Sequence, residues 1–178
     1  MQRNTGQELH KLRCGVTILP EQSEAFARLT TELLTQVPAN LVLLVDVAGQ
    51  VVMTKGSHDN VDLIMLGSLV AGDLAASQEI ARLTNQYQDY QIVLREGENF
   101  NTFIIEAGDY LALLVQVERE VPLGWARMVI KRMGQSLAQV MENAELSAET
   151  EAAFILDDPN DELSDLFGEA LDDLWGEL

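Results

Sequence analysis

Residues 41–45, LVLLV, are apolar at every position. A strand with one face in water alternates apolar and polar residues, so a run without alternation belongs to a strand covered on both faces. Any fold built round it must place other elements above and below. A second β-branched run, Gln50–Thr54, follows after Asp46-Val47-Ala48-Gly49. Gly49 is free to take the positive φ of a hairpin turn. Asp46 reads as a turn-stabilising side chain rather than a catalytic base.

The segments on either side supply the cover. Ala25, Phe26, Leu29, Leu33, Leu34 and Val37 recur at helical spacing and predict a helix over 21–37, stopped by Pro38. Asn60 is expected to cap a long helix, NVDLIMLGSLVAGDLAASQEIARL. Its first half is apolar or small nearly all round, as in a helix buried on two sides. Gly67, Ala71 and Ala75 fall four apart, as do Ser68, Gly72 and Ala76. Such a small-residue face lets another backbone approach, and a domain this short cannot cover both sides of the helix from within. Pairing with the same helix of a second copy is therefore expected across Gly67, Ser68, Ala71, Gly72 and Ala75.

YQIVLRE, FNTFIIEA and YLALLVQV predict three more strands, with turns at Gly97 and at Gly108-Asp109. Pro122 opens a last helix, to Glu145, with the apolar line Leu123, Ala126, Ile130, Leu137, Val140 and Met141. The order is helix, two strands, helix, three strands, helix. It predicts an α+β sandwich, a five-stranded antiparallel sheet with helices on its faces. The expected divisions are an N-terminal arm over 1–20, the domain over 21–144, an acidic linker over 145–159 and an amphipathic helix over 160–178.

Charge is uneven along the chain. The formal net charge is −18, from 29 acids and 11 bases, and 12 of the acids with none of the bases lie from Glu145 onward. The first 144 residues thus carry 17 acids and 11 bases, a net −6. This balance argues against non-specific nucleic-acid binding and against an anionic membrane surface, since both want a basic patch. No apolar segment is expected to reach the roughly 18–20 residues of a membrane helix. Cys14 is the only cysteine, which excludes an intramolecular disulfide, and the start MQRNTGQELHKLRCG has no apolar signal core. A cytoplasmic location is expected.

No catalytic pattern is present. His10 and His58 lack partners at metal-ligand spacing, and no phosphate-cradling glycine motif occurs, so neither metal nor cofactor is expected. Ser57-His58-Asp59 is contiguous, and three neighbours cannot converge as a triad does. The acidic DDPNDE lacks the turn glycine and spaced glutamate of a calcium loop.

From Phe26 to about Met141 the chain resembles the Roadblock family of dynein light-chain-like domains. The matching pieces are LVLLVDVAGQVV, the long small-residue helix ending ASQEIARL, IVLREGENFNTFIIEAGDYLALLV and PLGWARMVIKRMGQSLAQV. The resemblance implies homodimers with paired long helices and sheets joined edge to edge. Within the family it is similar to the bacterial MglB-type partners of Ras-like small GTPases. Those implied relatives activate the GTPase or exchange its nucleotide without an arginine finger, so a chain without catalytic residues is what the resemblance implies. The implied GTPase contacts are Asp59, Asp62, Asp73, Gln78 and Arg82.

The ending NDELSDLFGEALDDLWGEL carries seven acids and no base. Leu163, Leu166, Phe167, Leu171, Leu174 and Trp175 fall on one helical stripe. A helix of this length is marginal alone in water and orders against a surface. The candidates are its own domain beside Arg119, Arg127, Lys131 and Arg132, the GTPase, or a further scaffold protein. MglB-type proteins place a C-terminal helix on the GTPase; theirs is positively charged and this one is acidic. The leading expectation is a homodimeric, non-enzymatic regulator of a Ras-like small GTPase. The alternative is a structural adaptor that recruits a scaffold or polarity protein through its tail.

Overall fold

A computed structural model describes residues 10–59, 61–86 and 91–156. The elements in chain order are β1 (His10–Lys11), β2 (Thr17–Ile18), α1 (Pro20–Gln36), β3 (Ala39–Asp46), β4 (Val51–Gly56), α2 (Leu63–Leu83), β5 (Ile92–Glu96), β6 (Phe100–Glu106), β7 (Leu111–Glu118) and α3 (Leu123–Leu156). The main sheet has the antiparallel order β4-β3-β7-β6-β5, with β3, β7 and β6 inside. The α+β sandwich expected from the sequence is the fold observed.

The period of two along β3 sorts its side chains between two cores. Val42 and Leu44 join Phe26 and Leu33 of α1, Phe103 and Ile105 of β6, and Ile130 and Leu137 of α3. Leu41, Leu43 and Val45 join Val70 and Leu74 of α2, with Ile104 and Leu114 of the sheet. The uninterrupted apolar run is thus a strand buried on both faces. Each large side chain fully buried there is worth about 1.5–3 kcal/mol.

Asp46 closes the β3–β4 turn. Its Oδ1 accepts the backbone N–H of Ala48 at 3.0 Å and of Gln50 at 2.7 Å, while Gly49 takes φ +83°. Its Oδ2 accepts the N–H of Cys14 at 3.0 Å, which ties the β1–β2 hairpin to this turn. Leu12 and Ile18 are buried in the core with α1 and α3. Residues 10–20 are therefore part of the domain, not an arm; two-residue strands are too short to show a period.

Three further points differ from the sequence reading. The α2 cap is Asp62, whose carboxylate accepts from the N–H groups of Ile64 and Met65, whereas Asn60 lies outside the described residues. α3 continues to Leu156 through residues assigned to a linker. The stretch LSAETEAAFIL is rich in good helix formers and has neither glycine nor proline to stop it. The compact body nevertheless ends at Ala144, with Glu145–Leu178 a separate unit. Third, α2 does have the length and composition of a membrane span, with 21 residues and a mean hydropathy of 1.3 over its most apolar window. Its inner face is committed to the sheet through Val70 and Leu74.

Gly67 marks where α2 comes closest to the β3–β4 turn. A Cβ there would lie 2.6 Å from the Gly49 carbonyl oxygen and 3.3 Å from Val45 Cγ1. Gly67→Ala should therefore lower the unfolding free energy by about 1–3 kcal/mol in urea denaturation. Gly124→Ala, in the first turn of α3 with no atom within 4 Å of the added methyl, should leave stability unchanged or raise it by up to about 1 kcal/mol.

Candidate interaction surface

The sheet is too wide for the helix laid on one of its faces. Five strands at about 4.8 Å spacing extend roughly 19 Å between outer axes, against a helix diameter of about 10–12 Å. α1 and α3 share one face, but α2 lies alone on the other. A groove of about 520 Å³ remains beside α2. Its lining includes Leu66, Leu69 and Val70 of α2 and Ile104 and Leu114 of β6 and β7. Asp73 and Arg95 also line it. Arg95 Nη1 and Nη2 donate to the two Asp73 carboxylate oxygens at 2.6 and 2.7 Å, a bidentate pair linking β5 to α2. The carboxylate holds the guanidinium pKa above its ordinary value.

The opposite side of α2 faces outward, with nothing over it among the described residues. Ile64, Met65, Leu69, Ile80 and Leu83 are 72, 61, 63, 63 and 71% exposed. From Met65, the positions Leu69, Gly72, Ala76, Ile80 and Leu83 follow one another by four or three and make one stripe. A stripe of this length is larger than the scattered apolar residues normal on a monomer's surface. The expectation that α2 is buried on two sides is thus met on one side by the sheet and left open on the other.

The five small residues assigned to pairing divide accordingly. Gly67 is buried against its own β3–β4 turn and does not belong to the outer face. Ala71 is half-buried, and Ser68, Gly72 and Ala75 are exposed. A methyl at Gly72 would meet no atom within 4 Å. The four-residue spacing could not say which of the two overlapping series faced inward.

Of the five residues implied as GTPase contacts, four already have partners within the chain. Asp62 caps α2. Asp73 holds Arg95. Gln78 Nε2 donates to Glu106 Oε1 at 3.0 Å, and Arg82 pairs with Glu79 at 2.7 Å. Asp59 is exposed in the segment before α2, beside Ser57 and His58, whose Nδ1 lies 3.0 Å from the Gly56 carbonyl oxygen. Buried Glu106 and Arg95 were not singled out from the sequence, because their partners lie 28 and 22 residues away.

The four bases considered as a tail receptor are not equivalent. Arg119 Nη1 points to the Gly97 and Glu98 carbonyl oxygens of the β5–β6 turn. Arg127, Lys131 and Arg132 are exposed along α3. Leu163, Leu166, Phe167, Leu171, Leu174 and Trp175 lie outside the described residues.

No protein-family model and no curated protein matches the chain. Solved structures do. Myxococcus xanthus MglB is 26% identical, with 72% of this chain and 96% of that one covered and a TM-score of 0.64. The gliding protein MglB of Thermus thermophilus is 26% identical, with 76% and 98% covered and a TM-score of 0.61. A Roadblock/LC7 domain from Streptomyces avermitilis, at 19% identity, 68% and 96% coverage and a TM-score of 0.52, shares the fold.

The Asp73–Arg95 pair is partly in water, with side chains 21 and 57% exposed. Asp73→Asn should therefore cost no more than about 1 kcal/mol in urea unfolding. The loss should shrink in about 0.5 M salt, where exposed charges are screened.

Proposed function

We propose that this chain, whose fold is that of a Roadblock domain and is similar to MglB, works as a homodimer that binds a Ras-like small GTPase and regulates its nucleotide cycle. The observation that carries the reading is the bare outer face of α2 beside a half-covered sheet. Another copy brings a second α2, an element of matching shape and composition. Ser68, Gly72 and Ala75 let the two helix axes approach, while Met65, Leu69 and Ile80 fill the space between them. β5, an edge strand hydrogen-bonded among the described residues to β6 alone, continues the sheet to its twofold mate.

The GTPase then meets the dimer over the ends and flanks of the α2 pair, where Asp59, Asp62, Asp73, Gln78 and Arg82 lie. The pairs Asp73–Arg95, Gln78–Glu106 and Arg82–Glu79 keep these side chains in fixed orientations for a partner. The chain contributes no catalytic group and no cofactor in this reading. It acts from the cytoplasm by stabilising one shape of the GTPase, whether that shape favours hydrolysis or exchange. The acidic segment 160–178 adds a docking element for the GTPase or for a scaffold protein.

Leu69→Asp tests both steps. Leu69 is exposed in the single chain, so the variant should fold with a melting temperature close to the wild type unless dimerisation contributes to it. Sedimentation at about 10 μM should show a wild-type dimer and a monomeric variant, since an aspartate in an apolar interface core is costly. A cognate GTPase should be retained, and its GTP turnover altered, by the wild type and not by Leu69→Asp. A monomeric wild type contradicts the dimer; retention without altered turnover leaves the adaptor role.

A further inference from the structure

The outer face of α3 is a second place where large apolar side chains lie in water. Trp125 and Met128 are 41 and 60% exposed. At about 100° per residue, Met128 lies on the crest of the helix. Trp125 and Arg132 then fall on one flank, and Arg127 and Lys131 on the other, with all three bases exposed. Arg132 Nη2 donates to Gln36 Oε1 of α1 at 2.8 Å, so the Trp125 flank is the one turned towards α1. From Val121 to Met141 the chain has three bases and no acid, although its first 144 residues carry a net −6. The ridge is apolar along its top, cationic on both sides and opposite in sign to the body that bears it.

A ligand for this ridge brings an apolar stripe for Trp125 and Met128, with negative charge on both edges of the stripe. An acidic amphipathic helix has that form at the width of a single helix. An anionic bilayer is flat and meets α1 as well, because α1 and α3 share this side of the sheet. There α1 presents Glu21, Glu24 and Glu32 against its one base, Arg28, and all four are exposed. The net acidity of the body opposes a bilayer further. A second copy of α3, laid on this ridge by a twofold axis, sets three bases against three. A narrow helix whose charges are all acidic meets none of these penalties.

We infer that the Trp125–Met128 ridge of α3, flanked by Arg127, Lys131 and Arg132, is a docking surface for an acidic amphipathic helix of a partner protein. The partner's apolar stripe covers Met128 and Trp125. Acids on one edge reach Arg127 and Lys131, and acids on the other reach Arg132. The bond to Gln36 holds the Arg132 guanidinium in place before the ligand arrives, so less side-chain freedom is lost on binding. The ridge lies on the face of the sheet opposite α2. Each chain therefore carries its own site, and docking requires neither a GTPase nor a dimer.

The test uses the full chain and a fluorescent synthetic peptide of about 18 residues, with leucine at helical spacing on one face and glutamate on both edges. The wild type should bind one peptide per chain. It should bind about tenfold more tightly than Arg127→Glu/Lys131→Glu, which spares the Arg132–Gln36 bond. Met128→Asp, at an exposed position, should lose as much and covers the case in which the charge variant misfolds. Salt at about 0.5 M should weaken binding, and the same peptide with lysine in place of glutamate should not bind. A wild type that does not bind, equal binding by the wild type and both variants, or equal binding of the lysine peptide overturns the inference. Binding of the wild type to phosphatidylserine vesicles but not to the peptide assigns the ridge to a lipid surface and overturns it. A lower sedimentation mass of Met128→Asp, with peptide binding unchanged, assigns it to a second copy and overturns it too.

Discussion

The structure depends on a central strand that tolerates water on neither face. Leu41, Leu43 and Val45 point to one side of the sheet, Val42 and Leu44 to the other, and all five are buried. Every other element is placed by the need to cover them. Among the described residues there are three helices for two faces that each need two. α1 and α3 complete one face, so the shortage falls on the side of α2. The 520 Å³ groove and the exposed apolar stripe are two views of that one shortage.

A single copy therefore has a finished side and an unfinished side, and the proposed function uses the difference. The unfinished side asks for another helix of the same kind and so for self-association. Interaction with a further partner is then left to the borders of the paired helices and to the finished side. There α3 carries an exposed apolar and basic strip against a strongly acidic chain. No step in this account requires bond-making by the protein, and its proposed effect on a GTPase is differential binding of the partner's conformations.

Much of this was legible in the sequence, and the failures have physical causes. LVLLV gave a doubly covered strand because missing alternation can be read locally. The turn role of Asp46 was legible for the same reason, since Ala48 and Gln50 are neighbours. Its third bond, to Cys14, spans 32 residues and was not. The small-residue series of α2 announced close approach but not direction: Gly67 fits the chain's own turn, and Gly72 faces out. Acidic composition concealed helix beyond Glu145, because glutamate and alanine are helix formers whatever their charge. The exposed apolar face of α2 was visible as a helix apolar all round; Asp73–Arg95 and Gln78–Glu106 needed tertiary structure to be seen.

The central claim is that the outer face of α2 is where two copies meet. A twofold axis between antiparallel helices brings their midpoints closest, and Gly72 lies beside the midpoint of Leu63–Leu83. Oxidative cross-linking of Cys14→Ser/Gly72→Cys measures that approach directly, because a disulfide forms when the two Cα atoms come within about 4.4–6.8 Å. The control is Cys14→Ser/Gln139→Cys, with its thiol on the exposed side of α3. The account predicts rapid, dilution-resistant dimer formation at position 72 and little at 139. Cross-linking at 139 with none at 72 would contradict it.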